Sequence, residues 1–143
     1  MSTTKPKVFK SEVDVKREIK RLLALHNWVC WMPPANGFGK VGIADIEALG
    51  PTNGKEGGCG VYLAIEAKFG NNKPTAQQRK FLNDVLHAGG FAMVVNEKTI
   101  AWLAVWLQAF DASRHAREEE KEVKPEDGAA MLNAMRALTV ELA

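Results

Sequence analysis

Two carboxylates and a lysine interrupt segments of the chain that are otherwise apolar. Asp45 lies within Ile43-Ala-Asp-Ile46, and Glu66 and Lys68 lie within Leu63-Ala-Ile-Glu-Ala-Lys-Phe69. Because alternate side chains of a strand point to the same face, Glu66 and Lys68 are expected to share a face. Ionised groups in central strands are costly to desolvate unless they pair with each other or hold a metal.

These residue types suit the hydrolysis of a phosphodiester. Mg²⁺ prefers hard oxygen ligands and keeps several waters, so two carboxylates and a backbone carbonyl suffice to bind it. A neighbouring lysine can orient or deprotonate the attacking water and neutralise the charge that grows on the phosphate. A second interpretation stays open, in which Lys68 forms a buried ion pair with Glu66 or with Asp45 and no catalysis takes place.

Composition favours one compact soluble domain. The chain has 143 residues, 46% of them hydrophobic and 25% charged, with a net charge of +2. The longest apolar run, Ile100 to Leu107, is far shorter than the ~20 residues that span a bilayer. The two cysteines, Cys30 and Cys59, form neither a disulfide framework nor a metal-ligand pair. Membrane and exported classes are therefore excluded, and we expect a cytoplasmic protein.

Charge is divided unevenly along the chain. Residues 1–80 carry 13 Lys and Arg against 7 Asp and Glu, whereas residues 81–143 carry 6 against 10. A basic half suggests a polyanionic partner, most often nucleic acid.

Periodicity and turn residues predict the elements that must position the site. We expect a helix from Ser11 to about Asn27, a strand over 28–32, and a β-hairpin of segments 43–49 and 61–69 joined by the glycine-rich loop 50–60. A second helix should begin at Pro74-Thr75 and stop at Gly89-Gly90, followed by a buried strand over Phe91 to Val95.

The last third of the chain is predicted to be helical around a charged linker. Asn96 should cap a helix over about 97–110 that is apolar on all sides, which favours a subunit interface over a cover from within the chain. Residues 111–127 are expected to be a linker. An amphipathic helix should then follow from Gly128, with Met131, Met135, Leu138 and Leu142 on one face. Residues 1–110 would thus be the functional domain.

The order of these motifs resembles the VRR-NUC family, a branch of the PD-(D/E)xK nucleases related to Holliday-junction resolvases. The resemblance covers roughly residues 12–96, and it ends before the tail that follows Phe110. It rests on Gly42-Ile-Ala-Asp45, the hairpin, Ile65-Glu-Ala-Lys68, Thr75-Ala-Gln-Gln78 and the apolar strand after Gly89-Gly90. The run Met32-Pro-Pro-Ala-Asn-Gly-Phe-Gly39 looks like the small stand-alone phage and bacterial members. The fold implied is α/β and restriction-endonuclease-like, with a mixed central sheet flanked by helices.

The resemblance implies a role for each motif residue. Asp45 and Glu66 would bind the metal together with the Ala67 carbonyl, and Lys68 would be the catalytic lysine. The departure at Ala44, where many members have proline, removes no ligand.

Two further site residues each keep an alternative. Gln78 would lie against the active site, or it forms a capping box with Thr75. An acidic residue of the first helix also belongs to the family site, and Glu12 fits that pattern better than Glu18. Glu12 could instead only pair with Lys16 one turn on.

The expected function is a Mg²⁺-dependent endodeoxyribonuclease that acts on branched DNA as a homodimer, with Mn²⁺ as an alternative metal. The apolar third helix or the Met-rich tail helix would supply the dimer interface. Alternatives are a flap, nicking or degradative nuclease, or a catalytically idle DNA-binding module. The tryptophans, in a strand and an apolar helix, are expected in the core or an interface rather than stacked on bases. The residues expected to contact phosphates are Lys16, Arg17, Lys20, Arg21, Lys40, Lys73 and Arg79.

Overall fold

A computed structural model describes residues 5–34, 41–51, 60–119 and 122–139. Within these residues the chain forms four helices and a four-stranded mixed sheet, so the α/β class expected from the sequence is confirmed. The elements are, in chain order, α1 (Glu12–Leu25), β1 (Val29–Trp31), β2 (Ile46–Gly50), β3 (Val61–Ala67), α2 (Ala76–His87), β4 (Phe91–Val95), α3 (Ile100–Glu118) and α4 (Pro125–Thr139).

The strands lie side by side in chain order, β1-β2-β3-β4. β1 pairs with β2 and β2 with β3 in antiparallel fashion, which is the predicted hairpin. β3 and β4 are parallel, with Glu66 opposite Val94, because α2 carries the chain back along the sheet as a crossover. β3 is therefore central, and residues 52–59 of the hairpin loop lie outside the described residues.

The two faces of the sheet are covered unequally. One face packs on α1, α3 and α4 and forms the main core, which includes Ile19, Ile65 and Trp106. The other face packs on α2 through a small cluster of Ala44, Ala64, Leu82, Ala92 and Val94. Four strands offer more surface than a single helix covers, so part of this second face stays open.

The helical tail differs from its prediction in two ways. α3 continues to Glu118, so residues 111–118, expected to belong to a linker, are helical. One reason is that Asp111 is held by His26 at the end of α1, with the Oδ2 and Nδ1 atoms 2.5 Å apart. α4 also begins at Pro125 rather than Gly128 and buries Ala134 and Leu138 against the core, whereas Leu142 lies outside the described residues.

One side of α3 is covered from within the chain. Leu103, Trp106 and Leu107 are fully buried in the core that also holds residues of α4 and the sheet. Part of the apolar circumference of α3 is therefore covered from within the chain, whereas Trp102 of the same helix is 41% exposed, and the subunit interface expected there stays a prediction. No helix in the described part of the chain is long and apolar enough to cross a membrane.

Candidate metal-dependent active site

Asp45 and Glu66 meet at one end of the central strands. Asp45 immediately precedes β2, and Glu66 is the next-to-last residue of β3. The Asp45 amide donates to Glu66 Oε2 at 3.3 Å, and the Ala67 amide donates to Asp45 Oδ2 at 3.1 Å. These reciprocal bonds arise because Ile46 is registered with Ile65. The structure thus brings together the two predicted carboxylates and places the Ala67 backbone beside them.

Lys68 lies in the same site. Its Nζ atom is 2.8 Å from Glu66 Oε1, and its side chain is 12% exposed whereas that of Glu66 is fully buried. The Lys68 amide donates to the Val95 carbonyl at 2.9 Å, which extends the β3–β4 ladder by one residue and fixes the lysine backbone. The expected shared face of Glu66 and Lys68 is therefore observed, and so is the ion pair.

Burial raises the pKa of the Glu66 carboxyl to about 7. The positive charge of Lys68 opposes this rise, and the negative charge of Asp45 adds to it. Across the described residues, no donor is aligned with Glu66 Oε1 as a hydrogen bond, although the Lys68 ammonium is close enough for an ion pair. The site therefore disfavours the ionised form of Glu66, and a divalent cation beside it would reverse that preference.

Lys16 also belongs to the site, although from the sequence it was expected only to contact phosphate. Its Nζ atom is 3.2 Å from Asp45 Oδ1 and 3.2 Å from Glu12 Oε1. Burial alone would lower the pKa of Lys16, but its pairing with Asp45 and Glu12 outweighs burial and raises that pKa. Because the spacing of Glu12 and Lys16 predicted only a surface pair, the sequence had no signal for the contact with Asp45.

Of the two acidic candidates on α1, Glu12 is the one joined to the site. It reaches the site through Lys16, so the pair left open as its alternative is present as well. Glu18 instead forms ion pairs with Lys7 and with Arg21.

Gln78 forms the capping box that was its alternative role. Its Oε1 atom accepts from the Thr75 amide at 2.8 Å, and its own amide donates to Thr75 Oγ1 at 3.2 Å. The side chain is thus engaged by the first turn of α2. Its neighbour Gln77 lies against Gly42, three residues before Asp45. A Cβ atom built on Gly42 would fall 2.8 Å from Gln77 Cβ.

The other basic residues expected to contact DNA are spread over the surface. Arg17 pairs with Asp14 at 3.0 Å, and Arg21 pairs with Glu18 at 2.8 Å. The exposed members of the set also include Lys20, Lys73 and Arg79. Lys40 lies outside the described residues.

The donor set fits a single hard cation. Asp45 and Glu66 supply carboxylate oxygens, and among the described residues the buried Glu66 Oε1 accepts no aligned hydrogen bond, although the Lys68 ammonium is 2.8 Å away. Within the described ranges, no three His, Cys, Asp or Glu side chains converge, so a metal here would keep several water ligands. That coordination suits Mg²⁺, which dehydrates reluctantly and often binds through one or two carboxylates.

A second polar cluster, which the sequence did not predict, lies on the same face of the sheet. Trp31 Nε1 donates to Glu47 Oε2 at 2.8 Å, and the Tyr62 hydroxyl donates to Glu47 Oε1 at 2.6 Å. Burial and the Glu47 carboxylate raise the pKa of Tyr62 well above its ordinary value. Of the tryptophans, Trp28 and Trp106 are in the core as expected, but Trp31 and Trp102 are 44% and 41% exposed.

Comparison with known proteins identifies no relative of this chain among the family models and the curated proteins. No family model matches the chain, and none of the curated proteins matches it either. The resemblance to the VRR-NUC family therefore rests on the order and spacing of the motifs.

Proposed function

We propose that this chain is a metal-dependent endodeoxyribonuclease of the PD-(D/E)xK type with a restriction-endonuclease-like core. The observation that carries the proposal is the fully buried Glu66 carboxylate, hydrogen-bonded to Asp45 and paired with Lys68 at the end of the central strands. A purely structural ion pair would not need the second carboxylate, which raises the pKa of the first. The motif order that resembles the VRR-NUC family supports DNA as the substrate.

Each residue has a distinct role in this proposal. Asp45, Glu66 and the Ala67 carbonyl would hold Mg²⁺. When bound there, Mg²⁺ would polarise the scissile phosphate and lower the pKa of a bound water. Lys68 orients the attacking water, and its positive charge offsets the negative charge that builds up on the phosphate oxygens. Because Lys68 is only 12% exposed, bulk water screens this charge weakly.

Glu12 and Lys16 support the site from α1. The Lys16 ammonium lies between Glu12 and Asp45 and holds the Asp45 carboxylate toward the end of β3. Phosphates farther along the strand would contact exposed basic residues such as Lys20, Lys73 and Arg79, largely without regard to sequence.

A preference for branched DNA would come from a homodimer in which each subunit cuts one strand. Because α4 covers part of α3 from within the chain, such a dimer would use only surfaces that α4 leaves exposed. A monomeric mass in solution would contradict the Holliday-junction part of the proposal and leave the nuclease activity intact.

The test is Mg²⁺-dependent cleavage of a four-way junction, a flap and a linear duplex. Asp45→Asn and Lys68→Ala should each lower the cleavage rate by about 10²- to 10⁴-fold, the range for loss of a positioned catalytic group. Mn²⁺ is assayed in parallel. Asp84→Asn and Lys80→Ala are the matched controls, because they change the same residue types in an exposed pair on α2. Cleavage by both site variants at the wild-type rate would overturn the proposal.

A further inference from the structure

One part of the sheet face that carries the site is not covered by α2. α2 packs over β3 and β4, where Leu82 meets Ala64, Ala92 and Val94. The register of the strands places Val29 and Trp31 of β1 and Leu49 of β2 on this same face. Their side chains are 66%, 44% and 45% exposed. Among the described residues, the β1–β2 half of the face is therefore an open apolar patch.

The Trp31 ring is held in place within this patch. Its indole N–H donates to one oxygen of Glu47, and the Tyr62 hydroxyl donates to the other. Because both carboxylate oxygens are used, the carboxylate cannot turn without losing a bond. The tryptophan thus presents an open ring surface whose orientation is set in advance, which lowers the entropy lost on binding.

The patch lies close to the predicted cleavage site. Trp31, Glu47 and Ala64 form one row across three strands, and Glu66 follows Ala64 by two residues on the same face. Strand spacing and rise place the Cα atoms of Trp31 and Glu66 roughly 12 Å apart. At the 3.4 Å rise of a duplex strand, that distance corresponds to about three or four nucleotides, and an extended single strand spans it with fewer.

We infer that Trp31 stacks on an unpaired nucleobase of the DNA held at Asp45 and Glu66, an inference that rests on the proposed nuclease function. The substrate class is then DNA with single-stranded nucleotides within about four positions of the cut, such as a flap or a splayed arm. A base inside a duplex is already stacked on both sides, so only an unpaired base can use the ring.

Two observations favour a base over a second copy of the chain. Val29, Trp31 and Leu49 expose roughly 300 Å², well under half of what each partner buries in a standard protein interface. An apolar protein surface seated on the patch would also bury the Glu47 charge without a donor, whereas the exocyclic amine of a base such as cytosine can donate to a carboxylate.

The experiment compares binding to a splayed-arm DNA and to a fully paired duplex of equal length. Dissociation constants are measured by fluorescence anisotropy with Ca²⁺ in place of Mg²⁺, so that cleavage does not interfere. Trp31→Leu, which keeps an apolar side chain without a ring, should weaken splayed-arm binding by roughly 5- to 100-fold and leave duplex binding unchanged. Trp31→Phe should retain most of the affinity. Trp102→Leu is the matched control, because Trp102 is 41% exposed on α3, which packs on the opposite face.

The outcomes separate this inference from the proposed function. The inference is overturned if Trp31→Leu binds the splayed arm as tightly as the wild type does, or if the variant loses the same affinity for both DNAs. Mg²⁺-dependent cleavage by the wild type would still support the nuclease proposal in either case. A dimer that Trp31→Leu abolishes would identify the patch as an interface between copies and also overturn it. A wild type that neither binds nor cuts any DNA overturns both. Should Trp31→Leu fail to fold, a 2-aminopurine in the arm must still be quenched by the wild type, and unchanged fluorescence refutes stacking.

Discussion

Replacing Glu66 by glutamine should stabilise the metal-free protein at neutral pH and remove its response to Mg²⁺. Glu66 is fully buried, and burial together with Asp45 raises the pKa of its carboxyl to about 7 against the attraction of Lys68. Glutamine has nearly the same shape and no charge to desolvate. The variant therefore removes the cost of ionising this position and keeps the packing of β3.

The sign and size follow from linkage. Between pH 4.5 and about 7 the folded protein binds more protons at Glu66 than the unfolded chain does, so the stability of the wild type falls as pH rises through this range. The fall amounts to about 3 kcal/mol and levels off above pH 7. Because glutamine does not titrate, the stability of the variant relative to the wild type should rise by that amount, or about 10 °C in Tm for a chain of this length.

The assay is urea unfolding of both proteins in EDTA from pH 4.5 to 8. Glu122→Gln removes the same charge from an exposed position and controls for net charge. Saturating Mg²⁺ at 100 times its Kd should then stabilise the wild type by about 2.7 kcal/mol and leave Glu66→Gln unchanged. A stability difference that does not vary with pH would refute the reasoning about burial, and an equal Mg²⁺ response would refute the role of Glu66 as a ligand.

Three further predictions address neighbouring residues. Lys16→Met should tighten Mg²⁺ binding about two- to fivefold in calorimetry, because the partly buried Lys16–Asp45 ion pair, worth about 1 kcal/mol, no longer competes for the carboxylate. Arg17→Met should leave Mg²⁺ binding unchanged. Gln78→Ala should lower stability by about 1 kcal/mol through loss of the capping bond without changing the cleavage rate, and a large rate loss in a stable variant would assign it to the active site. Gly42→Ala should lose more stability than Gly70→Ala in urea unfolding. Both glycines have positive φ, and an alanine in that conformation costs about 1–2 kcal/mol at either position. At Gly42 the new Cβ atom would also fall against Gln77, whereas at Gly70 it meets no atom of the described residues within 4 Å. Equal losses of stability would contradict this.

Local signals were sufficient for most of the fold. The strand Phe91–Val95 has the predicted bounds, because a pair of glycines precedes it and Asn96 follows it. α2 begins where its capping box predicts. The end of α3 was missed because the bond between His26 and Asp111 joins residues 85 positions apart, and a local run of charges carries no trace of such a contact.

The candidate site, like the fold, has parts that local sequence signals predict and parts that they do not. Alternation within β3 was enough to expect Glu66 and Lys68 on one face, and the expected hairpin puts Asp45 on a neighbouring strand; the register that joins Asp45 to Glu66 comes from the structure. The positions of Lys16 and Trp31 depend instead on how α1 and β1 pack against the sheet. Neither residue has a distinctive spacing in the sequence. For Lys16, a lysine four residues after a glutamate is typical of any solvated helix.

The contact between Lys16 and Asp45 also changes how the basic half of the chain is interpreted. On α1, Lys16, Arg17 and Arg21 are each paired with a carboxylate of the same chain, so the positive charge free to meet DNA is smaller than the residue count implies. A divalent cation on Asp45 would compete directly with the Lys16 ammonium for the same oxygen. Metal binding would then release one lysine beside the scissile phosphate, so that DNA affinity and metal occupancy become coupled and the slope of DNA binding against salt steepens by about one charge when Mg²⁺ is present.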